Sequence, residues 1–103
     1  MGSETLTTAE AARSTWDVLV IGAGPAGTMT ALGLARAGHR TLLVEAKRFP
    51  RDKVCGGCLQ HRGRSLLAEL GLEWTLPQAH AVPVDELHVE YGGRQLVARL
   101  HGM

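Results

Sequence analysis

Residues 17–45 read DVLVIGAGPAGTMTALGLARAGHRTLLVE, and the order of residue types in this stretch decides the fold. Val18-Leu19-Val20-Ile21 is a run of four β-formers stopped by Gly22, the pattern of a short strand apolar on both faces, as in parallel sheets. Pro25 suits a first helical position, where its missing N–H costs nothing, and Ala26 to Ala37 supplies helix formers closed by Gly38. Gly27, Ala31, Leu34 and Ala35 recur at spacings of three and four, so one small-residue face can lie close on a sheet. Thr41-Leu42-Leu43-Val44 repeats the buried-strand pattern and ends at Glu45. The stretch predicts strand, tight turn, helix and strand, an α/β unit with a right-handed crossover.

The turn carries Gly22-x-Gly24-x-x-Gly27. Chance alone supplies about 0.2 such patterns in a chain this rich in glycine. Here the pattern also follows a strand, opens a helix and precedes an acid at the end of the next strand. Each residue then has a physical reason. Gly22 permits a sharp exit from the strand, Gly24 lets backbone amides approach a diphosphate, and Gly27 lets helix and strand pack closely. The uncapped N–H groups around Ala26 and Gly27 face the anion, and the helix dipole adds a favourable field. Glu45 is placed to accept both hydroxyls of an adenosine ribose, and its charge repels a 2′-phosphate. FAD or NAD fits this pattern, and NADP fits it poorly.

Composition limits the other readings. The chain has 103 residues, enough for one domain at most, with 45% apolar and 20% charged residues, as in globular proteins. A net charge of +1 gives no support for a nucleic-acid partner. No apolar run is long enough to span a membrane or to open a secretory signal. Two cysteines cannot staple a small secreted domain, so a reducing cytoplasm is expected. Thirteen glycines are the one excess, clustered at Gly22/Gly24/Gly27, Gly56/Gly57 and Gly92/Gly93.

Outside the βαβ unit the signals are more varied. Residues 1–15 are polar and lack a strand period, which predicts a flexible leader with at most a helical turn. Ala46 to Gly57 holds Lys47, Arg48, Arg51 and Lys53 with Pro50, a basic loop whose four cations in seven positions point to an anionic neighbour. Leu59 to Leu70 predicts a helix with Leu66, Leu67 and Leu70 on one side and Gly71 closing it. Glu73 to Val84, with Pro77 and Pro83, reads as a connector. Leu87, Val89 and Tyr91 alternate with polar residues before Gly92-Gly93, a type I′ turn, and Gln95 to Leu100 supplies the returning strand of a hairpin.

Val18 to Glu45, with the Gly24-Pro25-Ala26-Gly27 form of the turn, resembles the N-terminal fingerprint of FAD-dependent oxidoreductases. Phe49 to Leu59, FPRDKVCGGCL, resembles more narrowly the geranylgeranyl reductase family, related to aromatic hydroxylases and flavin-dependent halogenases. The likeness covers residues 17 to about 72. It implies a Rossmann-like FAD-binding domain whose cofactor site takes in Gly22, Gly24, Pro25, Ala26, Gly27, Glu45 and Ala46. It further implies that Arg51 and Lys53 help neutralise the pyrophosphate and that Cys55 and Gly56 touch the ribityl or isoalloxazine part. NAD(P)H or another electron donor and a hydrophobic small-molecule substrate follow from the same likeness. The implied division is a leader over 1–15, an FAD-binding βαβ unit with basic loop and helix over 16–72, and the truncated start of a β-rich substrate domain over 73–103. Two strands and one helix leave a sheet face uncovered, so the domain is expected to be incomplete and to need later sequence or a complementary chain. The same likeness allows peripheral membrane association of a longer protein.

Two alternatives stand beside this. The same fold serves flavin monooxygenases and halogenases, and a non-catalytic nucleotide-binding fragment is the other. Cys55-Gly56-Gly57-Cys58 reads as CxxC, but flavin disulfide reductases space their pair by four residues, and Cys58 stands where the reductase family places a small residue. Zinc would need Cys55, Cys58, His61 and His80 without a second paired cluster, so no metal is assigned. The five histidines share no triad spacing, and no catalytic residue is identified.

Overall fold

Parallel pairing of β1 (Val18–Ile21) with β2 (Thr41–Val44) organises the first part of the chain, in the register Val18↔Thr41 to Ile21↔Val44. The computed structural model describes residues 5–55 and 57–100, and the chain divides into two units, Met1–Lys53 and Val54–Met103. In the first unit α1 (Pro25–Arg36) connects the two strands, with Pro25 at its first turn as the sequence predicts. Ala37 is its C-cap and Gly38 follows at φ +92°. Gly38 N–H donates to Ala35 O and His39 N–H to Leu34 O, both at 3.1 Å, so the helix ends in a Schellman motif that only a left-handed residue permits.

The helix lies on one sheet face. Ala31 is 7% exposed, and Gly27, Leu34 and Ala35 are half-buried on the same side. The other face is bare, with Leu19 56% and Ile21 80% exposed. The expectation of strands buried on both faces therefore holds for one face only. A single crossover helix provides one covering layer, and each strand shows its alternate side chains to solvent. The architecture is mixed α/β, an incomplete Rossmann-like domain.

Residues 5–15 form more regular structure than their composition suggests. Thr8–Ala12 forms a short helix, α2. Its capping box is complete, with Glu10 N–H donating to Thr7 Oγ1 at 3.2 Å and Thr7 N–H to Glu10 Oε2 at 2.9 Å. Trp16 Nε1 donates to Ala11 O at 2.9 Å, and the Arg40 guanidinium lies 5.3 Å above the Trp16 ring. The leader is thereby tied to the residue that precedes β2.

The second unit holds α3 (His61–Glu69), α4 (Thr75–Gln78) and a hairpin of β3 (Glu86–Tyr91) with β4 (Arg94–Arg99). The hairpin matches its sequence signal: Gly92 and Gly93 sit at φ +57° and +73°, as a type I′ turn needs, and Tyr91 pairs with Arg94. α3 starts two residues later than the predicted Leu59. Leu67 and Leu70 are half-buried while Leu66 is exposed, so that leucine stripe is only partly covered. The predicted connector contains a correction, namely α4. Pro77 fits there because a helix's first turn needs no N–H donor. His80 ends that turn at φ +56°, with His80 N–H on Pro77 O and Ala81 N–H on Leu76 O, both at 3.0 Å. His80 thus has a structural position at a helix end. No group of three His, Cys, Asp or Glu among the described residues could hold a metal ion. No helix among the described residues is long and apolar enough to cross a membrane.

Candidate functional site

The C-terminal ends of β1 and β2 meet at a carboxylate. Gly22 N–H donates to Val44 O at 2.7 Å, extending the parallel ladder by one bond, and Gly22 then turns the chain at φ +98°. That turn carries Ala23, 7% exposed, under the end of β2. Ala23 N–H donates to Glu45 Oε1 at 3.2 Å, and Lys47 N–H to Glu45 Oε2 at 3.4 Å. The Ala23 hydrogen bond, aided by the Lys47 amide and the charges of Arg51 and Lys47, holds the Glu45 carboxyl below the ordinary carboxylate range despite partial desolvation. Glu45 is therefore ionised at neutral pH. A carboxylate has about four acceptor positions, so two backbone donors leave room for two hydroxyl donors.

The glycines act in different ways. A Cβ on Gly27 would run into the carbonyl of Gly22 and lie 3.6 Å from Val20 Cγ1, so this glycine lets α1 approach β1. Gly24 adopts φ −73°, a conformation open to any residue. A Cβ there would lie 3.3 Å from Lys53 Nζ and 3.9 Å from Arg51 Nη2. The space above Gly24 is thus bounded by two cations. No side chain caps the start of α1 and no acid lies in its first turn. The amides of Gly24, Ala26 and Gly27 are consequently available to an anion.

Ala23, Gly24, Pro25, Thr28, Phe49, Arg51 and Lys53 line an open cleft of about 320 Å³. Arg51, one of these lining residues, is 16% exposed. Its Nε lies 3.6 Å from Glu45 Oε2 and, though buried, has no hydrogen-bond acceptor; its guanidinium sits 5.3 Å from the Phe49 ring centre. Glycine and helix amides, two cations and a carboxylate beside Arg51 make a set that suits an adenosine diphosphate.

Sequence reasoning selected Gly22, Gly24, Pro25, Gly27, Glu45, Arg51 and Lys53, and the structure gathers them around one turn. Ala26 is exposed in the first turn of α1, and Ala46 is exposed beside Glu45. Cys55 and Cys58 belong to the second unit, both exposed and free, with Gly57 N–H donating to Cys55 Sγ at 3.3 Å. Gly56 lies outside the described residues. Sequence reasoning missed Ala23, which acts through its backbone and so leaves no side-chain signal. It also missed Phe49, an aromatic residue two positions before a cation.

Comparison with known proteins gives the family. Residues 15–101 match the family model described as an FAD binding domain. The chain belongs to that family. Its cofactor is FAD, and the family's enzymes are FAD-dependent oxidoreductases and monooxygenases. Among curated relatives, it is similar to a menaquinone reductase of Mycolicibacterium smegmatis, 50% identical over 56 residues, 54% of this chain and 14% of that protein. It is similar to a squalene epoxidase of Saccharomyces cerevisiae, 37% identical over 82 residues, 80% of this chain and 16% of that protein. It is also similar to conditioned medium factor receptor 1 of Dictyostelium discoideum, 44% identical over 59 residues, 57% of this chain and 12% of that protein. The chain thus spans between 12% and 16% of the length of these relatives. No solved structure matches it. These names support the FAD-dependent family and do not single out geranylgeranyl reductases.

Proposed function

We propose that this chain holds the adenosine diphosphate portion of FAD in an enzyme that reduces a carbon–carbon double bond of an isoprenoid, in the manner of geranylgeranyl reductases. The observation that carries this reading is that Arg51 and Lys53 bound the space over the Gly24 turn while Arg51 Nε also lies 3.6 Å from Glu45 Oε2. Glu45 accepts the ribose hydroxyls, and the amides of Gly24, Ala26 and Gly27 receive the diphosphate along the axis of α1. Lys53 supplies a point charge above Gly24, and Arg51 a planar fork suited to paired phosphate oxygens. Ala46, beside Glu45, completes the cofactor contacts of this unit. Bound FAD supplies hydride transfer, with NAD(P)H or another donor as the source of electrons. This chain supplies binding and orientation.

Two of the relatives are named for menaquinone and squalene, molecules that both carry isoprenoid chains, which supports an isoprenoid substrate here. A second reading has an observation of its own. The squalene epoxidase match covers 80% of the chain, which favours oxygen insertion on the same scaffold. Reoxidation of the reduced flavin in the intact protein separates the two. The reductase reading expects slow reoxidation by oxygen, accelerated reoxidation by an unsaturated isoprenoid, and a saturated product. Rapid oxygen consumption with an oxygenated product overturns it in favour of the monooxygenase.

A further inference from the structure

Arg51 lies beside both Glu45 and the Gly24 turn. Its Nε lies 3.6 Å from Glu45 Oε2, while its Nη2 lies 3.9 Å from where a Cβ on Gly24 would stand. Lys53 also overlies Gly24, but no ion pair joins it to Glu45 among the described residues. The Arg51 side chain is held in place. It is 16% exposed, Glu45 is 17% exposed, and Phe49 lies against the guanidinium at 5.3 Å. Its Nε is buried and has no acceptor, a state that is costly for a charged donor unless another partner arrives.

These relationships give Arg51 more than one contact to make. We propose that Arg51 is a positioning residue that orients the Glu45 carboxylate for the ribose hydroxyls and couples that grip to anion binding over Gly24. This rests on the reading of the cleft as an adenosine diphosphate site. The planar fork lets one end face the carboxylate while the other faces the glycine turn. A lysine, with a single charged atom, serves one end at a time. The two halves of the ligand should therefore bind with shared rather than independent energies.

The test is a double-substitution cycle on the intact protein stripped of flavin, with adenosine and ADP as separate probes. Adenosine carries no phosphate, so a residue that only contacts phosphate cannot affect it. The inference expects Arg51→Gln to weaken adenosine binding about fivefold and ADP binding more strongly. In a Glu45→Gln background, Arg51→Gln should no longer affect adenosine. Arg51→Lys should recover ADP binding more fully than adenosine binding, and it carries the same cycle should Arg51→Gln fail to fold. Unchanged adenosine affinity in Arg51→Gln, or an equal loss with and without Glu45, overturns the inference while leaving the site reading intact. Failure of the unaltered protein to bind ADP overturns the site reading, and the inference with it.

Discussion

Ala23 donates its backbone N–H to Glu45 Oε1 at 3.2 Å, joining the glycine turn after β1 to the acid after β2 across 22 positions of sequence. The contact makes the carboxylate part of the turn's own geometry. Glu45 thereby steadies the turn, and under the proposed reading it has a second duty, to present acceptors to the ribose hydroxyls.

The ribose duty is tested by Glu45→Ala in the intact protein. FAD affinity should fall by about tenfold or more, as expected when hydrogen bonds to a charged acceptor are lost. FMN, which lacks the adenosine half, should lose little. Isothermal titration of both flavins checks this, and equal affinity for FAD and FMN before substitution would contradict the role of Glu45.

The steadying duty has a pH signature. The Ala23 hydrogen bond lowers the Glu45 pKa from its ordinary 4.5, so the folded state binds this proton less readily than the unfolded chain. The stabilisation is present above 4.5 and is lost as pH falls through the lowered folded value. Acid unfolding monitored by circular dichroism should show a shallower loss of stability over that window in Glu45→Gln. An identical pH profile would indicate that the Ala23 contact contributes nothing.

Gly24 and Gly27 should separate binding from folding. At Gly27 a side chain collides with the Gly22 carbonyl, and Gly27→Ala should cost about 1–3 kcal/mol and lower Tm. At Gly24 the backbone tolerates any residue and a Cβ meets only the flexible tip of Lys53 and Arg51 Nη2. Gly24→Val should therefore keep the fold and lose bound flavin, because its branches fill the space the diphosphate needs. Retained flavin in Gly24→Val, read from the visible spectrum, would remove the diphosphate from this position.

His80 sits at φ +56° at the end of α4, where a Cβ is strained. His80→Gly should relieve that strain and stabilise the chain by about 0.5–1 kcal/mol after the entropy cost of glycine is subtracted. Thermal melting checks the sign. A lower Tm would mean that the imidazole makes a compensating contact.

Periodicity and punctuation were enough to place β1, β2, the first crossover helix and the hairpin, because those signals are local. Four apolar residues before Gly22, Pro25 at a helix start, Gly38 at a helix end and Gly92-Gly93 at a tight turn each restrict their own backbone. α4 escaped notice since a single turn is too short to show a period. The capping box at Thr7 and Glu10 lay within a stretch whose composition suggested only a leader.

The amino-acid sequence alone determined which groups the chain offers to a dinucleotide: bare helix amides, an acid at the end of the second strand, and a run of cations. Tertiary structure alone decided that Arg51, of the four cations in the loop, lies between Glu45 and Gly24, and that Phe49 and the Ala23 amide hold that arrangement. The physical reason is distance. Backbone preferences act over a few residues, whereas ion pairing, stacking and the reach of a guanidinium depend on where the parallel pairing of β1 and β2 brings remote segments together.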